Sequence, residues 1–176
     1  MFNYCPSCAS KNIRFENGRF FYCPDCGFKY YHNVAAATAC LIDSGSSILF
    51  LVRGREPATG KLDLPGGFVD PNEGAIEGLI RECNEELSWT PRASEISLFA
   101  SFPNVYTYKN IDYNTCDLFF SIRAPDLLEK NLELEKEEIK SARFIEYAQI
   151  DLNDLAFPSA KRAVEAYLKT KHPVLK

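Results

Sequence analysis

No apolar run in this 176-residue chain approaches the ~20 residues that a membrane-spanning helix needs, which excludes a helical membrane protein. Basic residues are not in excess: 20 Lys and Arg stand against 24 Asp and Glu, a formal charge of −4. A sequence-independent nucleic-acid binder needs a basic surplus to displace counterions from phosphates, so nucleic acid is not an expected partner. Internal repeats and low-complexity tracts are absent, which leaves an ordinary globular chain. Histidine is scarce, and His32 and His172, without partners in sequence, each read as structural. No basic and apolar leader is seen before Met1-Phe2-Asn3-Tyr4-Cys5, and Cys40, Cys83 and Cys116 stand isolated. Both observations favour a reducing, cytoplasmic setting over a disulfide-forming one.

What is present begins with four cysteines. Cys5-Pro6-Ser7-Cys8 and Cys23-Pro24-Asp25-Cys26 are two Cys-x-x-Cys knuckles, the spacing of a Cys₄ structural zinc site. Between them, Ile13 to Glu16 and Arg19 to Tyr22 flank Asn17-Gly18, a strong hairpin signal that brings the knuckles together. Four thiolates leave no open coordination position, so a Zn²⁺ held there is structural. Over residues 1–33, Lys11, Arg14, Arg19 and Lys29 oppose Glu16 and Asp25. Zinc with four thiolates adds about −2, so the module is near neutral and a poor grip for phosphate.

The most informative segment runs from Leu64-Pro65-Gly66-Gly67 through Glu73 to Arg81-Glu82-Cys83-Asn84-Glu85-Glu86. With Gly74 to Leu87 on a helix, Glu82, Glu85 and Glu86 share one arc, while Ile76, Leu79, Ile80, Cys83 and Leu87 fill its neighbour. Like charges at i,i+4, as in Glu82 and Glu86, cost roughly 0.2–0.5 kcal/mol per pair unless a cation neutralises them. A hard divalent cation such as Mg²⁺ takes oxygen ligands and commonly sits between one or two carboxylates and substrate phosphates. The paired glycines Gly66 and Gly67 let the backbone approach a ligand or a neighbouring segment closely.

Gly67, Glu73, Arg81, Glu82, Glu85 and Glu86 resemble, at the right intervals, the box of the Nudix (MutT-like) pyrophosphohydrolases. Cys83 and Ser88 depart from the family pattern, which has an aliphatic residue and a glycine there. Cys83 reads as buried packing, and Ser88 as a strained helix end that leaves the metal site alone. A ribbon followed by this domain is similar to the NADH pyrophosphatase branch, as is Phe157-Pro158-Ser159. Only Ser101 and Pro103 match the start of that branch's Ser-Gln-Pro-Trp-Pro-Phe-Pro-x-Ser signature.

The resemblance implies an α+β fold, an α/β/α sandwich with a mixed sheet over residues 34–176, preceded by a Cys₄ zinc ribbon over residues 1–33. It implies hydrolysis of a nucleoside diphosphate linked to another moiety, such as NADH, NAD⁺ or ADP-ribose, with release of a mononucleotide. Mg²⁺ or Mn²⁺ is then held by Glu82, Glu86, Glu85 and Glu138, and one of these accepts the proton of the attacking water. Arg81 orients Glu82 and pairs with Glu73. Gly66 and Gly67 approach the substrate, and Phe102, Tyr106 and Tyr108 either stack on a base or pack within a loop. A homodimer is the default partner. The alternatives are an RNA-end (NAD-cap) processing hydrolase and a nucleotide-sensing regulator. Further strands are expected at 34–42, 48–53, 98–102, 116–122 and 143–147, with a loop over 103–115 and a last helix over 159–170.

Overall fold

The computed structural model describes residues 2–129 and 132–171, so His172 lies outside the described residues. The chain divides into two compact units, Met1–Val34 and Ala35–Lys176. No described helix is long and apolar enough to cross a membrane.

The first unit is a three-stranded antiparallel sheet of β1 (Arg14–Glu16), β2 (Phe20–Tyr22) and β3 (Lys29–Tyr31). Asn17 and Gly18 both take positive φ in the turn joining β1 to β2, which the Arg19 N–H closes onto the Glu16 carbonyl at 3.0 Å. The third strand carries no alternation of its own and was not evident from the sequence; it pairs with β2 through Phe21↔Tyr30. The ring of His32 sits edge-on to Phe15 and Phe21, a packing role. The two knuckles converge: the Cys5 and Cys26 sulfurs are 3.6 Å apart, those of Cys8 and Cys23 3.7 Å, and all four lie within 4.8 Å of one another. Tetrahedral Zn–S bonds of about 2.3 Å place sulfurs about 3.8 Å apart, whereas a disulfide needs about 2.05 Å. The cluster therefore fits zinc.

The second unit is a six-stranded mixed sheet between two helices. Its strands are β4 (Ala35–Asp43), β5 (Ser47–Arg53), β6 (Leu62–Asp63), β7 (Ser97–Tyr108), β8 (Ile111–Arg123) and β9 (Ile139–Glu146). The order is β6-β5-β4-β8-β7, with β9 also paired to β5. Only β4 and β8 run parallel, over nine residue pairs. Alternate β4 side chains feed opposite layers. Cys40 and Ile42 meet Leu79, Cys83 and Leu87 of α1 (Ala75–Leu87), while Leu41 meets Ala163 and Val164 of α2 (Pro158–Lys171). Burying a leucine in such a layer contributes about 1.5–3 kcal/mol, so each helix is held mainly by its apolar stripe. Cys83 is fully buried, as packing requires.

Where a loop is expected over 103–115, β7 and β8 instead continue as one long hairpin. Lys109 and Asn110 supply its turn, both at positive φ, without the glycine that normally announces one. Pro103 is tolerated because β7 is an edge strand.

β4 and β5 share a single residue pair, Asp43↔Ile48, beside their turn. Beyond it, the free edge of β4 takes the segment 65–69 instead: Cys40 N–H donates to the Pro65 carbonyl, Thr38 N–H to Gly67, and Val69 N–H to Ala36. This backbone insertion carries the glycine pair to the sheet and positions the site.

Candidate active site

Helix α1 starts at Gly74, whose N–H donates to Glu77 Oε2, and ends at Ser88 in the left-handed region. Its polar face is organised by Arg81. That guanidinium donates to both oxygens of Glu73 (2.7 and 3.2 Å), to Glu82 Oε1 (2.9 Å), to Glu85 Oε2 (3.0 Å) and to the Phe68 carbonyl (2.9 Å). One arginine thus ties the helix to the loop before it and fixes the Glu82 carboxylate. Glu86, one turn on, accepts the Gly66 N–H at 2.8 Å.

The glycine pair makes this possible. Gly66 sits at φ +143°, and a side chain there would run into the Thr38 carbonyl. A side chain on Gly67 would strike the Glu82 carboxylate. Any larger residue would push the loop off β4 or the carboxylate off its position.

Glu82 and Glu86 line a cavity of about 260 Å³, and Glu138, just before β9, lines it too. Glu138 pairs with Arg55, and its N–H donates to Glu135 Oε2 at 2.7 Å. Burial pushes the Glu86 carboxyl well above the ordinary range, and Glu82, Asp63 and Glu138 push it further, against the Gly66 hydrogen bond. Glu82 is also raised by burial, with Arg81 opposing. Carboxylates crowded in this way, with oxygen donors only, fit a hard divalent cation. Among the described residues only the four cysteines bring their ligand atoms within 4.8 Å of one another.

Of the residues singled out from the sequence, Glu82, Glu86, Glu138, Gly66, Gly67 and Tyr106 come together at the cavity. Glu73 and Arg81 support it from behind. Glu85 is held by Arg81 at the rim, its side chain 53% exposed, and does not line the cavity. Phe102 and Tyr108 do not line it either. They share the Asn104 and Tyr106 face of β7, each displaced by a pleat. Phe102 packs on Phe119 under the Arg162 guanidinium, and Tyr108 lies near the hairpin end beside Lys109.

Several cavity residues escaped the sequence reading. Arg53 donates to Asp63 Oδ2 at 2.6 Å and lies over the Phe157 ring. Burial raises the Asp63 carboxyl, against the neighbouring Arg53. Asp117 accepts the hydroxyls of Thr115 (2.5 Å) and Ser159 (2.6 Å). The one available signal was a lone carboxylate within the apolar run from Cys116 to Ile122.

A family model described as the NUDIX domain matches residues 32–167. The NAD-capped RNA hydrolase NudC of Pseudomonas fluorescens (strain Pf-5) is 35% identical over 85 residues, 48% of this chain and 30% of that protein. NudC of Pseudomonas putida (strain F1) is 34% identical over 87 residues, again 48% of this chain and 30% of that protein. The matched stretch therefore spans less than a third of these curated relatives. Among solved structures, a NUDIX hydrolase from Nitrosomonas europaea superposes with a TM-score of 0.68 at 22% identity, covering 98% of this chain and 94% of that one. A MutT protein from Methanosarcina mazei Go1 does so with a TM-score of 0.59 at 21% identity, covering 79% and 96%. At these identities the structural likeness speaks to fold alone.

Proposed function

The chain belongs to the Nudix family, and we propose that it is a pyrophosphohydrolase cleaving a nucleoside diphosphate linked to another moiety, of the NADH, NAD⁺ or ADP-ribose type, to release a mononucleotide. The observation that supports this is that Glu82 and Glu86 from one helix face and Glu138, just before β9, line the same cavity. Glu82, Glu86 and Glu138 would hold Mg²⁺ or Mn²⁺, with Glu85 beside them. When bound, the ion neutralises charge on the phosphate oxygens and makes water nucleophilic near neutral pH.

The residues of the chain do the rest. Arg81 keeps Glu82 pointed into the cavity, and the Gly66 N–H fixes Glu86. One of the three cavity glutamates takes the proton of the attacking water. Arg55, at the same rim, offers a guanidinium to phosphate oxygens as negative charge develops. The reading also includes zinc in the ribbon, a cytoplasmic setting and a homodimer.

A second reading, hydrolysis at the NAD-capped end of an RNA, uses the same chemistry and is favoured by the likeness to NudC proteins. The experiment is a panel with Mg²⁺ or Mn²⁺ over NADH, NAD⁺, ADP-ribose and NAD-capped RNA, scoring mononucleotide release. Glu86→Gln should lower turnover by at least about a thousandfold while keeping the far-UV spectrum. Near-wild-type turnover of that variant would remove Glu86 from the site.

A further inference from the structure

The cavity has a second corner, which the chemistry of the glutamates does not use. It is built by Thr115 and Asp117 of β8, which share a face at i,i+2, and by Ser159 in the first turn of α2. Asp117 is 9% exposed and makes no ion pair among the described residues. It is held by two hydroxyls: Thr115 Oγ1 donates to Oδ1 and Ser159 Oγ to Oδ2. A hydroxyl has one hydrogen, and with Thr115 Oγ1 2.5 Å from Asp117 against 3.5 Å from the Asn104 carbonyl, both hydrogens go to Asp117. All three side chains are thereby left with lone pairs only, so a ligand that enters this corner meets acceptors and must bring donors.

The neighbourhood narrows the class further. Asp63, paired with Arg53, adds a second carboxylate to the same lining, close enough for the charge of Asp117 to act on it. An anionic group placed here would be repelled, whereas a neutral donor would be held. Tyr106 and Phe157, with ring centroids 5.6 Å apart, line the same cavity and give a planar group a surface to lie against.

We propose that Asp117, fixed by Thr115 and Ser159, is the specificity-determining residue of the cavity. It binds a neutral, donor-bearing edge of the nucleoside, a base amino group or a ribose hydroxyl, and rejects a phosphate at that position. This rests on the reading that the cavity holds a nucleotide, and it places the two ends of the substrate: anhydride at the glutamates, donor-rich nucleoside at Asp117.

The test is equilibrium binding of mononucleotides, which contain no anhydride to be cleaved, to the full chain with Mg²⁺ present. Adenosine 5′-monophosphate is compared with purine riboside 5′-monophosphate, which lacks the amine and gains no other donor. It is also compared with 2′-deoxyadenosine 5′-monophosphate, which lacks a hydroxyl, and with adenosine 2′,5′-bisphosphate. At least one of the first two analogues should bind about tenfold more weakly, the loss expected when a buried acceptor faces no donor. The amine arm and the hydroxyl arm identify which donor is read. Where the hydroxyl is the donor read, the bisphosphate should bind more weakly than the parent. Asp117→Asn, which turns part of the corner into a donor, should reduce these differences to less than about threefold and raise KM for the dinucleotide with little change in kcat. Equal affinity of the wild type for the parent and both donor-deficient analogues overturns the proposal without reference to the variant, and so does tighter binding of the bisphosphate where the hydroxyl arm shows the loss. Discrimination retained in a folded Asp117→Asn overturns it as well. If no dinucleotide is hydrolysed while the mononucleotide pattern holds, the hydrolase reading fails and this one stands.

Discussion

Ser88 closes α1 with φ 49° and ψ 37°, its N–H donating to the Asn84 carbonyl at 3.0 Å. A left-handed helix end costs a non-glycine residue on the order of 1 kcal/mol. Ser88→Gly should recover that amount and raise Tm by about 2–4 °C, read by differential scanning calorimetry. Turnover should be unchanged, since Ser88 does not line the cavity; a large activity change would assign the turn to the chemistry. This residue was legible because a helix end is a local event. Glu82 and Glu86 were legible for the same reason, since i,i+4 spacing shows on one helix without knowledge of the fold. Asp117 was not, because the Ser159 hydroxyl that defines it lies 42 residues further along the chain. Glu85 shows the limit of periodicity from the other side. It belongs to the acidic arc of the helix, but Arg81 draws it to the rim.

At the scale of elements, α2 is fastened to the far end of β4 through one buried carboxylate. Asp43 accepts the Tyr167 hydroxyl at 2.7 Å, the Tyr147 hydroxyl at 2.5 Å, the Gly45 N–H at 2.5 Å and the Lys171 ammonium at 2.7 Å. Burial by itself would raise this carboxyl, but Lys171, the two tyrosines and Gly45 outweigh it and hold it at about 2. An aspartate in the unfolded chain titrates near 3.9. The folded value is the lower one, so the contribution is complete above about pH 4 and is lost as pH falls toward 2, roughly 2 kcal/mol in all. Asp43→Asn should therefore lower stability near neutrality by about that much and flatten the acid limb of a denaturation series between pH 4 and pH 2. An unchanged acid limb would show that other carboxylates set it. The helix itself was visible from the spacing of Ala163, Val164 and Tyr167, but its fastening was not, since Asp43 and Tyr167 meet only in three dimensions. The β7–β8 hairpin was hidden for a different reason: Pro103 and the turn Lys109-Asn110 imitate a loop until β7 is known to be an edge.

At the scale of the whole molecule, the ribbon unit buries few apolar side chains, with Phe21, Cys5 and Cys23 its innermost residues. A module so small would depend on a metal held by its four cysteines. Stripping zinc with a strong chelator should abolish hydrogen-exchange protection of the Phe20–Tyr22 amides, and restoring zinc should bring it back. Persistent protection without metal would show that the hairpin stands on its own. The larger unit follows another logic. Its central pairing joins Ala35 to Thr115 and Asp43 to Arg123, partners eighty residues apart, and α1 with the inserted glycine segment lies wholly within that span. Closing so long a loop carries an entropic cost and sets a slow tempo compared with winding a helix. Because α1 is itself held by its packing on β4, its glutamates take their places only once that pairing has closed. Recovery of catalysis after dilution from denaturant should accordingly report the closing of the β4–β8 pairing and never run ahead of it.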